Sequence, residues 1–153
     1  MKLAEALILR ADCQKKIQQI KERLLRSAKV QEGEEPPEQP QALIEELHDR
    51  SDRLTDLIQK INHTNSVTIL EDSSMSIAAA LAQRDSILLK CNIYNSLIQT
   101  AAVTQNRYGR SEIKYVSTVD VARLQTVMDR MSRDYRQLDT KIQQANWNVD
   151  LIE

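Results

Sequence analysis

The sequence predicts an all-α protein, a long antiparallel helical bundle with coiled-coil character and four main helices. Only two glycines and three prolines occur in 153 residues, and phenylalanine is absent. The chain therefore has few residues that end helices or form turns. Apolar residues recur at spacings of three and four along four stretches. The only aromatic residues are four tyrosines and one tryptophan, so aliphatic side chains must fill the core, which favours long helical seams.

Length and composition limit the organisation of the chain and its classes of function. We expect a single domain over residues 1–153, with a linker at 31–40 and an arm at 104–117. A net charge of −1 gives no overall field that would attract nucleic acid or anionic lipid, so neither is an expected partner. No apolar run approaches the ~18 residues of a membrane span.

The two cysteines and the first residues of the chain bear on its compartment. Cys13 and Cys91 lie inside helical patterns and match no metal-ligand spacing, which fits a reducing cytoplasm. Glu5 and Arg10 interrupt the apolar start, and no small-residue cleavage site follows, so the start does not match a signal peptide. We therefore expect a cytoplasmic protein.

The first two helices are predicted at residues 3–28 and 41–65, on either side of a linker with three prolines and four glutamates. Residues 2–29 carry eight Lys or Arg against three acids, whereas residues 31–56 carry two Arg against nine acids. Opposite charge of this kind predicts that the two helices pack as antiparallel partners. Their apolar stripes are Ala6, Leu9, Cys13, Ile17, Ile20 and Leu24 in the first helix, and Leu43, Leu47, Leu54, Leu57 or Ile58, and Ile61 in the second.

The third helix is predicted at residues 74–103, with an N-cap among the hydroxyl side chains of 73–76. Arg84 and Asp85 interrupt its apolar pattern, and we expect them to form bonds across the bundle or across a subunit interface. Apolar residues on two faces predict a central helix. One face carries Ile77, Leu81, Leu88 and Ala102, and the other carries Ile87, Cys91, Tyr94, Ile98 and Ala101.

The fourth helix is predicted at residues 118–146, with Ser117 or Thr118 as its N-cap and Asp120 near the positive end of the helix dipole. Its apolar residues alternate spacings of three and four without a break, as in a heptad seam. We interpret this seam as the surface through which copies of the chain associate. It consists of Val121, Leu124, Met128, Met131, Tyr135, Leu138 and Ile142.

Patterns that would indicate catalysis or metal binding are incomplete in this sequence. Glu45 and His48 form one ExxH pair, but a di-iron bundle needs two, and Lys60 stands three positions before His63, the only other histidine. Gly33 and Gly109 are too far apart to build a phosphate-binding loop. We therefore predict no catalytic residues, no metal and no cofactor, and expect that the protein is not an enzyme.

The segment NRYGRSEIKYVST at 106–118 interleaves basic and aromatic side chains and is predicted to form a short extended or hairpin arm. Such an arm can dock on another subunit of the same protein. Alternatively, it can bind a phosphate-bearing ligand or nucleic acid by pairing with phosphates and stacking on bases. The residues concerned are Arg107, Tyr108, Arg110, Lys114 and Tyr115.

Several motifs in order along nearly the whole chain, MKLAEALILRAD, KVQEGEEP, INHTN, LED, RYGRSEIKYV, TVDV and ANWNVDL, resemble the bacterial family labelled septicolysin, whose function is otherwise unknown. The resemblance implies a cytoplasmic helical protein that assembles as a homo-oligomer, with a hexamer as one form, and with no established catalytic residues. The label also suggests a cytolysin. A pore former needs a membrane-compatible segment, either an apolar helix or an alternating strand pair, and the sequence predicts neither. The function that we predict is that of a homo-oligomeric structural or interaction protein.

Overall fold

The computed structural model of the protein describes residues 1–102 and 114–153 and contains four helices. They are α1 (Leu3–Ser27), α2 (Pro40–Val67), α3 (Ile77–Ala102) and α4 (Val121–Asn148). Within the described residues, extended pairing is limited to two isolated bridges, between Lys2 and Asp150 and between Ile69 and Ser76. The predicted all-α, bundle-like fold is confirmed.

Contacts divide the chain into two compact units. The first comprises Met1–Thr68 with Gln144–Glu153, and the second comprises Ile69–Gln143. The expected single domain over 1–153 stays a prediction. Of the predicted arm at 104–117, only residues 114–117 lie within the described part of the chain, and they are not helical.

In the first unit, α1 and α2 pack against each other as a hairpin. Arg23, near the end of α1, donates hydrogen bonds to Glu38 in the linker and to Glu46 near the start of α2, at 2.6 Å and 3.3 Å. The end of one helix therefore lies beside the start of the next, as in an antiparallel pair. The pairing predicted from the opposite charges of these segments is confirmed, and Ile20 and Ile61 are both fully buried in this unit.

The two ends of the chain meet in the first unit. The N–H of Leu3 donates to the carbonyl of Val149 at 2.9 Å. The N–H of Ile152 donates to the Oγ1 of Thr64 at 3.0 Å, and that hydroxyl in turn donates to the carbonyl of Lys60. Because Thr64 is fully buried, its hydroxyl joins the C-terminal residues to α2 in a place where water is excluded.

In the second unit, α3 and α4 run antiparallel to each other. The Nη1 of Arg84 lies 2.9 Å from the Oδ1 of Asp139, and the Sγ of Cys91 lies 3.9 Å from the Oγ of Ser132. Seven residues forward along α3 correspond to seven residues backward along α4, which gives the register of the pair. Arg84 therefore bonds across to α4, as predicted, whereas Asp85 accepts hydrogen bonds from Arg84 on the same helix.

The starts of α3 and α4 differ from their predicted positions. Residues 69–76 form a turn closed by a 2.9 Å bond from the N–H of Leu70 to the carbonyl of Met75, so α3 begins at 77 and not at 74. The Oγ of Ser76 accepts a hydrogen bond from the N–H of Ala79, so Ser76 is the N-cap of α3. The prediction of Ser117 or Thr118 as the cap of α4 was wrong, because Asp120 accepts the N–H of Arg123 and the helix begins after it.

Candidate interaction surface

The inner face of α3 is the side that packs within the chain. Its residues recur at spacings of three and four, and each is buried or half-buried. They are Ile77, Ala80, Arg84, Ile87, Cys91, Tyr94, Ile98 and Ala101. The predicted division into two apolar faces was partly wrong, because it grouped Ile77 with Leu88, whereas Ile77 is fully buried and the side chain of Leu88 is exposed.

The outer face of α3 lies on the opposite side of the helix at 100° per residue. All its members are exposed and none is charged: Ala78, Ala79, Ala82, Ser86, Leu89, Ile93, Ser96, Leu97 and Thr100. Leu89 and Ile93 are 61% and 58% exposed. These two residues and Leu97 were absent from the predicted faces of α3, although their spacing of four was a signal that could have identified them.

Among the four helices, α3 is the most apolar and yet is little buried. Of its 26 residues, Ile77 and Ala80 are the buried ones. A helix that is apolar on all sides normally lies inside a core or between partners, because exposed apolar surface is unfavourable in water. The composition of α3 therefore fits a helix that is covered on both faces, whereas within the described part of the second unit α4 covers one.

One end of the outer face leads into a groove of about 440 Å³ beside the start of α4. Leu97 and Thr100 form part of its lining, and Tyr115 and Val116 form another part. Tyr115 is 87% exposed and Val116 is 80% exposed. The exposed apolar surface therefore continues from α3 onto the segment that precedes α4.

Of the residues that were predicted to bind a ligand or a partner, two lie in the described part of the chain. Lys114 and Tyr115 are both exposed, and Tyr115 lines the groove. Arg107, Tyr108 and Arg110 lie outside the described residues. Both roles suggested for the arm, docking on another subunit and binding a phosphate-bearing ligand, stay predictions.

The predicted oligomer seam on α4 is partly covered by its own chain. Ile142 is 1% exposed, and the other six members, Val121, Leu124, Met128, Met131, Tyr135 and Leu138, are half-buried. Leu138 lines the same cleft as Ile87 of the inner face of α3. The regular seam thus packs against α3, and its role between subunits stays a prediction.

Ion pairs shift the pKa values of groups in both units. Burial by itself lowers the pKa of Arg84, but hydrogen bonds to Asp139 and Asp85 outweigh burial, so the pKa is raised and the guanidinium stays charged. In the first unit, the hydrogen bond from Arg23 lowers the pKa of Glu38. The directions of these pKa shifts keep Arg84 and Glu38 charged at neutral pH.

The residues of the ExxH pair, Glu45 and His48, are both exposed on α2. Throughout residues 1–102 and 114–153, no group of three or more His, Cys, Asp or Glu side chains is arranged to hold a metal ion. In the same ranges, no helix has both the length and the apolarity needed to cross a bilayer.

Comparisons with known proteins place the chain among proteins without an assigned activity. Residues 10–151 match the model of a family of unknown function, DUF6847. A crystal structure of a functionally unknown conserved protein from Corynebacterium diphtheriae is 42% identical over 99% of each chain, with a TM-score of 0.92. A search of curated proteins gave no match. Neither description mentions septicolysin, so the resemblance to a cytolysin-labelled family is not supported.

Proposed function

The chain belongs to DUF6847, a family of unknown function, and we propose that it is a homo-oligomeric structural or interaction protein whose copies associate through the outer face of α3. The observation that carries the proposal is the exposure of Leu89 and Ile93, at 61% and 58%, on the most apolar helix of the chain. Isolated exposed apolar residues are common on protein surfaces. An uncharged, apolar helix face that includes three large aliphatic side chains is typical of an interface.

The energetics indicate how large the interface has to be. Burying the exposed part of Leu89, Ile93 or Leu97 contributes about 1 to 2 kcal/mol for each side chain. Six such side chains in a pair contribute about 6 to 12 kcal/mol, which is comparable to the ~4 to 15 kcal/mol that association costs in lost freedom of motion. The outer face alone would therefore associate weakly.

Adjacent surface supports a larger interface. Tyr115 and Val116 are almost fully exposed beside the end of the outer face, and an aromatic side chain buries more area than an aliphatic one. In this proposal, the segment at 114–119 packs on a neighbouring copy together with α3. The docking role suggested for the arm then uses Tyr115 as its contact.

The proposal includes no catalytic role, and it places the protein in the cytoplasm. The two cysteines support a reducing compartment, since Cys13 and Cys91 are both free. Cys13 is buried and Cys91 is half-buried beside Ser132, so both behave as small packing residues.

Sedimentation velocity of the purified full chain at micromolar concentration tests the proposal. We expect the wild type to sediment as an oligomer, and Leu89→Asp and Ile93→Asp to sediment as smaller species, because a charge at either position must lose its hydration in the interface. Leu25→Asp is the matched control, since Leu25 is 67% exposed on α1. Circular dichroism should show unchanged helix content. A monomeric wild type would refute the proposal, as would Asp variants that assemble normally.

A further inference from the structure

We infer that two copies of the chain pair α3 against α3 in antiparallel orientation about a two-fold axis, with the small half of one outer face against the large half of the other. The small half is Ala78, Ala82 and Ser86, and the large half is Leu89, Ile93 and Leu97. The inference rests on the proposed function and specifies the partner, the orientation and the register of its interface.

The register follows from the spacing of these six residues. Successive steps along the helix are four, four, three, four and four residues, a series that is the same in both directions. When one copy of α3 is turned end over end, these six positions therefore lie opposite the same six positions of the other copy. The resulting pairs are Ala78 with Leu97, Ala82 with Ile93 and Ser86 with Leu89, and each occurs twice because an interface about a two-fold axis is made of the same surface on both copies.

Side-chain volume favours the antiparallel pair over a parallel pair. In antiparallel orientation every large side chain faces a small one, so the two helices can approach evenly along the whole stripe and fill the interface at native density. In a parallel pair, Leu89 and Ile93 would each face their own copies, while Ala82 would face Ala82 across an empty gap. A gap of this kind forfeits packing in the way that a large-to-small core substitution does.

The charged flanks of the outer face favour the parallel orientation, but only weakly. In antiparallel pairs of helices, positions on the same flank meet, which places Asp85 opposite Asn92 and Lys90 opposite Gln83, with the two copies of Asp85, and likewise of Lys90, about 7.5 Å apart along the axis. These four residues are exposed. A parallel pair would instead place Asp85 near Lys90 of the other copy. An exposed ion pair of that kind contributes little to association, because solvent screens it, and less than the packing that it would replace.

Disulfide trapping between differently tagged copies tests the orientation. Ala82→Cys is placed in one copy and Ile93→Cys in a second copy that carries a larger tag, both in full-length chains with Cys13→Ala and Cys91→Ser. After the two proteins are mixed, allowed to exchange subunits and oxidised, denaturing electrophoresis separates each product by size. Ala122→Cys, at an exposed position of α4, serves as the control.

We expect the mixed disulfide between positions 82 and 93 to be the main product. In antiparallel register, two copies of residue 82 lie about 16 Å apart along the axis. That distance is well beyond the ~7 Å between Cα atoms that a disulfide can span. Disulfides of 82 with 82 and of 93 with 93 would overturn the inference in favour of a parallel pair.

Failure of the inference and failure of the proposed function give different results. An oligomer in sedimentation velocity that forms no disulfide at either position would overturn the α3 pairing and leave self-association standing. A wild-type chain that sediments as a monomer would overturn both.

Discussion

The guanidinium of Arg84 on α3 donates a 2.9 Å hydrogen bond to the carboxylate of Asp139 on α4, and this bond sets the register of the second unit together with the contact between Cys91 and Ser132. The side chain of Arg84 is 22% exposed and that of Asp139 is 33% exposed. The pair is therefore partly screened by solvent. It also orients the inner face of α3 toward α4, which leaves the outer face turned away from α4.

Asp139→Ala is expected to reduce the free energy of unfolding by about 1 kcal/mol, because a partly buried guanidinium loses one of its charged partners. Urea unfolding at a fixed protein concentration measures the change. Asp129→Ala is the control, since Asp129 accepts a hydrogen bond from Gln125 on the exposed side of the same helix. Equal losses in the two variants would contradict a specific contribution of the bond to Arg84.

Thr64→Val is expected to destabilise the protein by about 1 to 2 kcal/mol. The substitution keeps the shape of the side chain but leaves the N–H of Ile152 without the buried Oγ1 that accepts its hydrogen bond. Hydrogen exchange at the amide of Ile152 should also become faster. Thr140→Val is the control, because the hydroxyl of Thr140 is exposed and bonds the carbonyl of Arg136 in its own helix. A stable Thr64→Val variant with unchanged exchange would show that this bond does not hold the C-terminal residues.

Acid is expected to weaken the attachment of the linker to α1. The hydrogen bond from Arg23 lowers the pKa of Glu38 below its usual value of 4.5, so Glu38 binds protons more readily in the unfolded chain than in the folded one. Its contribution to stability is therefore present above pH 4.5 and is lost as the pH falls through the lower pKa of the folded state.

Comparison with Glu38→Gln isolates this contribution. The variant should be less stable than the wild type at neutral pH, and the difference between the two should shrink as the pH is lowered below about 4.5. Glu35→Gln, at an exposed position of the same linker, is the control. A difference between wild type and Glu38→Gln that stays constant through this range would exclude titration of Glu38 as its source.

Swapping the small side chain at position 82 with the large one at position 93 is expected to show that the two positions are in contact. Ala82→Leu overfills the proposed contact and should weaken association by about 1 to 3 kcal/mol per contact. Ile93→Ala leaves it underfilled. The double variant restores one large and one small side chain, so its association should be stronger than the sum of the single effects predicts, with a coupling energy of about 0.5 to 3 kcal/mol. Additive effects in sedimentation equilibrium would contradict direct contact between these positions.

Some of the fold could be predicted because the signal repeats along the chain. The unbroken three-and-four spacing from Val121 to Ile142 identifies α4, and the opposite charges of the first two helices identify their pairing, which the bonds from Arg23 confirm. The first residues of α3 and α4 were harder to predict. The turn at 69–76 depends on backbone hydrogen bonds that side-chain periodicity does not reveal, and Asp120 competes with Ser117 and Thr118 for the same capping role.

The sequence by itself determined that the protein is helical and that α3 has more apolar surface than one neighbour can cover, because periodicity and composition are local properties of the chain. Only the tertiary structure decided which surface remains free. The register set by Arg84 and Asp139 turns Cys91 toward α4 and leaves Leu89 and Ile93 exposed. Two apolar faces of one helix look alike in a sequence, and only the position of the neighbouring helix distinguishes the face that is covered from the face that is left for a partner.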